Sequence, residues 1–369
     1  MTMRWGRSGS PGRSRAAGNP HARKPTLTPF LTLLLALFTS LASAATPDPI
    51  ITPPEHRRGA EQTFLTFPEW FLVHSPAEYA ALVRTRDPDE FPFWAHIGQF
   101  WTSYQRVTEE TRRGNYALNP GYHVMIVVIG TSTTVEYAVR STYETVVGRL
   151  SALTRTHGMT AEDRLAADVA QDYVDFIRVQ PWYEYDFMKR LREVWTRTGW
   201  LGPDAIRKWE RKYALTTEYG IKALYGWLIR KATKATYEDP LPVTAIVVDG
   251  LPDGIEQALP DVKVQQRLPD GGALLLVPRY EAFMTHAGTL AHRGAAFREI
   301  AGNRGDIFLS ALVPASWQPA AGERVLFTQP IITRLGEQRV ALVVRVSALA
   351  ATLNRLDAPG MRLEHIYDY

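Results

Sequence analysis

The segment from Leu118 to Leu150 places the strongest constraint on how this 369-residue chain can fold. It opens with Asn119-Pro120, then contains no further proline, and it reaches Glu136 before its first acidic residue. Such a segment predicts one helix of about 30 residues, which would be about 45 Å long and would cross a whole domain. The other elements of that domain must therefore pack around it.

Two faces run along this predicted helix, because residues spaced by three and four share one side. The first face combines small and polar residues: His123, Val127, Gly130, Thr134, Tyr137, Ser141, Glu144 and Gly148. The second face is apolar and consists of five valines: Val124, Val128, Val135, Val139 and Val146. We expect the valines to join a core and the polar face to be turned toward something else.

The composition excludes several classes of protein. There is no cysteine, which rules out disulfides, thiolate nucleophiles, zinc fingers and iron–sulfur clusters. The formal net charge of +4 comes from the first 44 residues, which hold six bases and no acid. The remaining 36 bases face 38 acids, a net charge of −2, so nucleic acid is not an expected partner.

Residues 1–44 predict an export signal. A basic segment precedes the apolar run Phe30–Leu41, and Ala42-Ser43-Ala44 supplies the small residues of a cleavage site. The alternative is an uncleaved membrane anchor, because the basic segment is long for a signal. Either reading places the body outside the cytoplasm, in the periplasm or anchored facing it. Residues 45–60 are rich in proline and charge and predict a linker.

Residues 61–237 predict an all-α domain of about six helices. Ser75-Pro76-Ala77-Glu78 has the form of a capping box with proline at the first helical position, which predicts a helix start. Further along, Trp182–Asp186 packs three aromatic residues and two carboxylates into five positions. This cluster suggests a glycan platform or an acid pair, or alternatively a seam between two helices.

Residues 243–369 change character and predict a ferredoxin-like α+β domain with split β-α-β order. The predicted strands are Thr244–Val248, Ala273–Val277, Asp306–Val313, Arg324–Thr328, Arg339–Val346 and Arg362–Tyr369. The predicted helices are Glu281–Ile300 and Ser347–Leu356, and an extra hairpin is inserted at Glu323–Thr333. The sequence gives no sign of an internal repeat.

Several motifs have a familiar form: Phe67-Pro68-Glu69-Trp70, Gly98-Gln99-Phe100-Trp101, Gly121-Tyr122-His123, Gly130-Thr131-Ser132, Glu136-Tyr137, Pro181-Trp182-Tyr183-Glu184 and Glu364-His365-Ile366-Tyr367-Asp368-Tyr369. Through them the chain resembles a family of uncharacterised bacterial exported or membrane-linked proteins. The resemblance covers most of the chain after residue 60. It implies no activity and no site residues, and it implies only that the two regions form a unit.

Four side chains on two predicted helices are weak candidates for a catalytic site: His96, His123, Glu136 and Glu144. Histidine with carboxylate serves acid–base chemistry and metal binding. No pair has the spacing that puts two metal ligands on one helical face, so neither a metal nor a cofactor is expected. The alternative is a buried network with ion pairs from Glu136 through Arg140 to Glu144.

A basic, aromatic helix predicted between Asp204 and Tyr237 suggests contact with an anionic membrane. Its candidate membrane-binding residues are Arg207, Lys208, Arg211, Lys212, Lys222, Arg230 and Lys231. The alternative is a solvated basic face on a core helix.

Two functions remain open at this point. The first is binding or assembly at a membrane surface or with an envelope protein, with possible homodimerisation through residues 243–369. The second is a hydrolase-like activity around His123 and Glu136, which requires His96, His123 and a carboxylate to meet in one pocket that solvent can reach.

Overall fold

The computed structural model describes residues 49–233 and 241–367, and from Ile50 onward these belong to one compact unit. The predicted signal or anchor at 1–44 lies outside the described residues. The helical region and the sheet region that follow agree with the predicted α+β class.

Eight helices make up the first region: α1 (Gln62–Leu65), α2 (Phe67–Val83), α3 (Phe93–Arg113), α4 (Pro120–Tyr143), α5 (Arg149–Ala152), α6 (Ala161–Ile177), α7 (Phe187–Thr196) and α8 (Ala205–Thr233). Short 3₁₀ turns lie at Pro54–His56, Pro88–Glu90, Trp182–Glu184 and Val346–Ala348. A π-helical turn, Glu144–Gly148, joins α4 to α5, so the long helix predicted from Leu118 to Leu150 is confirmed.

The predicted helix start at Ser75 is wrong. Helix α2 begins eight residues earlier, and Pro76 lies inside it. Ser75 is instead buried, and its hydroxyl lies 2.7 Å from the hydroxyl of Tyr137. Tertiary contacts have therefore overridden a local signal for a helix start.

The second region holds β1 (Val243–Asp249), α9 (Ile255–Ala258), β2 (Lys263–Arg267), β3 (Ala273–Pro278), α10 (Glu281–His292), β4 (Ala296–Ile300), β5 (Asp306–Pro314), β6 (Arg324–Pro330), β7 (Glu337–Arg345), α11 (Leu349–Leu356) and β8 (Arg362–Tyr367). The predicted helix Glu281–Ile300 is half right. It ends at His292, because Gly294 takes a φ of +91° and the chain then continues as β4.

The strands form two antiparallel sheets where the sequence predicted one ferredoxin-like sheet. Sheet one has the order β2-β3-β1-β4, and sheet two has the order β6-β7-β5-β8. In each sheet two strands joined by a helix flank a third strand, so a split β-α-β arrangement is present twice. The single-sheet prediction failed because β4 was missed.

The two sheets are two copies of one β-β-β-α-β unit, at residues 243–300 and 306–367, although the sequence shows no repeat. Strand order is the same in both units. Each unit also carries two register shifts at equivalent places. In the first strand of each unit the shift follows the fifth residue, Val247 in β1 and Ser310 in β5. In the second strand it follows the second residue, Val264 in β2 and Val325 in β6. A bulge is a specific local feature, so this coincidence indicates an internal structural duplication.

Two of the apolar clusters among the described residues involve both sheets or join a sheet to the helical region. The inner faces of both sheets enclose α10 and α11 in one apolar core. The outer face of sheet two, through Phe308, Val343 and Tyr367, packs against Phe64 and Phe67 of the helical region. The boundary predicted near residue 240 therefore separates two regions of one compact unit.

The described part of the predicted linker is fixed to the outer face of sheet one. Glu299 is fully buried and accepts hydrogen bonds from the Ile51 amide at 3.0 Å and the Thr52 amide at 2.9 Å. Arg58 donates its amide to the carbonyl of Ala301 at 3.0 Å. Residues 50–58 are thus part of the fold and not a free linker.

Candidate functional site

The polar stripe of α4 faces the protein interior. Gly130 is buried, and a side chain there would overlap the ring of Phe100 on α3. Tyr137, Ser141 and Glu144 are also buried along the same stripe. The absence of a side chain at Gly130 therefore lets α3 approach α4 closely.

The valine face of α4 is exposed, so the prediction that it joins a core is wrong. All five valines are more than half exposed, and Val128, for example, is 56% exposed. A helix in a water-soluble region normally turns its apolar stripe inward. Helix α4 has the reverse orientation, because the small and polar stripe is needed for close packing and ion pairs.

Helix α8 has the same reversed orientation. Arg207, Arg211 and Lys212 are at most 2% exposed. Lys208 is also buried, and its ammonium group donates to the carbonyl of Leu201 at 3.1 Å. The prediction that these four cations contact a membrane therefore has to be corrected, because each is used inside the protein.

Of the remaining predicted membrane-binding residues, Lys231 is exposed, and Lys222 and Arg230 are partly buried. Lys222 is half-buried and lies 3.0 Å from Glu136 and 2.8 Å from Glu218. Burial opposes the charge of Lys222, but these two carboxylates outweigh it and raise its pKa. Arg230 is partly exposed and lies 3.5 Å from Glu184.

Ion pairs fill the space between α8 and its neighbours. Arg211 holds Glu144 in a two-point pair, with nitrogen–oxygen distances of 3.0 and 2.8 Å. Arg207 donates to Asp163 on α6 at 2.9 Å, and Lys212 lies 3.4 Å from Glu162. Buried charges are tolerated only when they are paired in this way.

Helices α4 and α8, with the π-helical turn and α5 that follow α4, expose a set of large apolar side chains that we call the apolar face: Val124, Val128, Val135, Val139, Val146, Leu150, Ile206, Trp209, Tyr213, Ile221, Leu224, Trp227 and Leu228. Within 120–147 and 205–228 the most exposed charged side chain is that of Glu136, which is 40% exposed and lies 3.0 Å from Lys222. Arg149, next to Leu150, is also exposed. The helices are antiparallel neighbours, because Tyr143 lies beside Tyr213 and Glu136 lies beside Lys222. Tyr213 is itself part of the apolar face and lies beside Tyr143 of α4, so the exposed side chains of the two helices adjoin there.

The four candidate catalytic residues do not meet. His96 is buried beside Ser75, whose hydroxyl lies 2.9 Å from its Nδ1. His123 lies 2.9 Å from the Tyr104 hydroxyl and lines a separate cavity of about 70 Å³. Glu136 and Glu144 are the partners of Lys222 and Arg211 described above. Convergence on one reachable pocket, which the hydrolase hypothesis required, is therefore not observed.

The sequence did not reveal a second buried polar cluster, centred on Arg339 at the outer face of sheet two. Arg339 is 1% exposed and binds Glu364 and Glu78, each through Nη2, at 2.8 and 2.9 Å. Burial opposes ionisation of Glu364, but Arg339 outweighs it and holds the pKa of Glu364 at about 2. Only the terminal Glu364-His365-Ile366-Tyr367 motif hinted at these residues.

Two histidines border this cluster. Nδ1 of His74 lies 3.6 Å from Glu364, and Nε2 of His96 lies 3.6 Å from Glu78. Burial lowers the pKa of each histidine to about 3, so both are neutral near pH 7. Ser75, His96 and Glu78 stand in the order of a serine–histidine–acid set, but all three are buried and cannot reach a substrate.

A groove of about 390 Å³ opens between the start of α7 and the second half of α8. It is lined by Tyr185, Asp186, Phe187, Met188, Gly220, Ala223, Leu224, Trp227 and Arg230. This volume lies within the range of small-molecule sites, about 300–1,000 Å³. Leu224 and Trp227 also belong to the apolar face, so the groove borders that face.

Comparisons with protein-family models, curated proteins and solved structures found no match to this chain. Within the part of the chain that the structure describes, no helix combines the length and apolar character needed to cross a bilayer. The same residues contain no group of three or more histidine, aspartate or glutamate side chains placed to hold a metal ion.

Proposed function

We propose that this protein binds a membrane surface in the cell envelope through its apolar face. The observation that carries the proposal is the reversed orientation of α4 and α8, which place charges inside and apolar side chains outside. A contiguous apolar surface of this kind typically marks a site of interaction with a membrane or a protein. Few charged side chains are exposed along it, which favours the bilayer.

The energetics support an interaction that is mainly hydrophobic. Moving one aliphatic side chain fully out of water contributes about 1.5–3 kcal/mol, so a half-exposed residue such as Val128 gains about 1 kcal/mol on insertion. Thirteen residues form the face, and even partial insertion of several is enough for reversible binding. Arg207, Arg211 and Lys212 do not have to be moved out of water, because they are already paired inside the protein.

The two ends of the face are suited to the interface between lipid and water. Trp200 and Trp209 pack together at the start of α8, with ring centroids 5.7 Å apart. Trp227 lies near its end, where the ammonium group of Lys231 is 4.2 Å from the indole ring. Tryptophan and snorkelling cations are enriched at this level of a bilayer.

Export of the chain is part of the proposal and rests on residues 1–44. We expect mature protein from an envelope fraction to begin at Ala45, as measured by mass spectrometry of the N-terminal peptide. Protein that retains residues 1–44 in that fraction would instead support the uncleaved anchor. The homodimer predicted through residues 243–369 stays a prediction.

Co-sedimentation with lipid vesicles tests the membrane proposal. Val128→Asp places a charge on the apolar face, and we expect at least about tenfold weaker binding, because a charge at an apolar membrane contact costs more than 1.4 kcal/mol. Leu335→Asp is the matched control, since Leu335 is 97% exposed in the loop between β6 and β7 and is not one of the residues of the face. It should bind like the wild type.

Lipid charge and salt provide a second arm of the same experiment. Binding to anionic vesicles should exceed binding to neutral vesicles only modestly, and added salt should reduce the difference. The preference for anionic vesicles is small because four of the predicted membrane-binding residues, Arg207, Lys208, Arg211 and Lys212, are buried. Equal binding by Val128→Asp and the wild type, or no binding by either, would refute the proposal.

A further inference from the structure

We propose that the groove beside the apolar face holds one aliphatic chain of a membrane lipid. The inference rests on the proposed membrane binding, which would bring the mouth of the groove against the bilayer. Leu224 and Trp227 belong to both surfaces. A chain leaving the membrane would therefore enter the groove without crossing water.

The groove follows the second half of α8, and we call it the slot. Its lining runs from Gly220 to Arg230, ten residues that rise about 15 Å in a helix. One leaflet of a bilayer has a hydrocarbon depth of about 15 Å, half of a core about 30 Å thick. The length of the slot therefore matches the length of an acyl chain that spans one leaflet.

Missing side chains create the slot. An added Cβ at Gly220 would meet no atom within 4 Å, so this position opens onto free space. Ala223, one turn further, is also small. The buried rings of Tyr185 and Phe187 also line the slot, so its lining is mostly apolar, which suits a hydrocarbon chain.

Charges at the end of the slot suit an anionic headgroup. The pair between Arg230 and Glu184 is 3.5 Å long and more than one-third exposed, and such pairs contribute little. A lipid phosphate or carboxylate can therefore replace Glu184 as a partner of Arg230. Asp186 does not compete, because its carboxylate accepts the amide of Lys189 at 2.8 Å at the start of α7.

The test measures binding of cis-parinaric acid, a fluorescent fatty acid, to the full-length protein in solution, with dodecanoate as competitor. Gly220→Leu should fill the slot without a clash and weaken binding at least tenfold. Gly98→Leu is the matched control, because Gly98 also lies in a helix, is exposed and has no atom within 4 Å of an added Cβ. It should bind like the wild type.

The outcomes separate the groove from the membrane proposal. Equal fatty-acid binding by the wild type and Gly220→Leu would overturn the groove, since the probe would then be bound elsewhere. Vesicle binding without fatty-acid binding would overturn the groove alone. Fatty-acid binding that Gly220→Leu weakens, without vesicle binding, would support the groove and refute the membrane proposal.

Two safeguards complete the design. If circular dichroism shows that Gly220→Leu is misfolded, Ala223→Leu fills the same slot from the next turn and replaces it. Sedimentation velocity is run on both proteins. A dimer that Gly220→Leu weakens would assign the groove to a second copy of the chain and overturn the lipid proposal.

Discussion

Replacing Arg211 by alanine tests whether α4 and α8 really turn their polar sides inward. The Arg211 side chain is 3% exposed and is held by Glu144 on one side and Glu210 on the other. Removing the guanidinium leaves Glu144, itself 7% exposed, without the cation that binds both of its carboxylate oxygens. The perturbation therefore strands a buried negative charge.

The expected cost follows from that geometry. Removing one member of a buried pair typically destabilises a protein by about 3–5 kcal/mol, because the other charge is left uncompensated. Glu210 loses less, because it also accepts hydrogen bonds from Tyr143 at 2.9 Å and Ser151 at 2.8 Å. We therefore expect Arg211→Ala to destabilise by about 4 kcal/mol, a large share of the 5–15 kcal/mol typical of folded proteins.

Urea denaturation followed by tryptophan fluorescence measures this loss. Arg149→Ala is the control. Arg149 is exposed in α5, just after the turn that holds Glu144, so its replacement should cost less than about 0.5 kcal/mol. The double variant Glu144→Met with Arg211→Met should recover most of the loss, because apolar residues of similar volume often replace a buried pair without cost.

A loss below about 1 kcal/mol for Arg211→Ala would contradict the structure, because such a value is typical of an exposed pair. Water would then reach the polar stripe of α4. In that case the valines would belong to a core, and the membrane proposal would lose its basis.

Three further predictions concern other parts of the fold. Between pH 6.5 and pH 3 the histidines His74 and His96 are protonated in the unfolded chain but not in the folded protein. The free energy of unfolding should therefore decrease as the pH is lowered, by up to about 1.4 kcal/mol per pH unit for each histidine. His96→Gln should reduce that slope in denaturation curves measured from pH 7 to 5. Gly130→Leu should destabilise by about 1–3 kcal/mol in a thermal melt through overlap with Phe100, and an unchanged melting temperature would show that α3 and α4 are further apart. Truncation after Gly360 removes β8 from β5, so the second region should no longer melt cooperatively, whereas a normal melt would refute the strand order.

The sequence predicted the long helix and its two faces but not which face is buried. Periodicity shows which residues share a side, and the choice of side depends on what lies opposite. Gly130 fits against Phe100, and Glu144 meets Arg211 from a helix more than 60 residues away. No local pattern contains such pairings.

The basic helix and the second buried cluster show the same limit. The sequence showed the cations of α8 but not their partners. Arg207, for example, is buried in an ion pair with Asp163, which lies on another helix. Arg339 looked like an ordinary strand residue, because its partners Glu78 and Glu364 are distant in sequence. The strand class of the second region was predictable, whereas its division into two similar sheets depends on pairing that the sequence does not display.

The duplicated units give the helical region two similar sheet surfaces on which it could settle, and a few side chains decide between them. On sheet two, Ser310 and His365 occupy the places that Val247 and Glu299 take on sheet one. Glu299 already accepts a hydrogen bond from Thr52. If Phe64 and Phe67 packed on sheet one instead of sheet two, their apolar rings would lie against this buried charge. These paired positions therefore distinguish the two similar surfaces: the one on sheet one is covered by residues 50–58, and the one on sheet two takes the helical region.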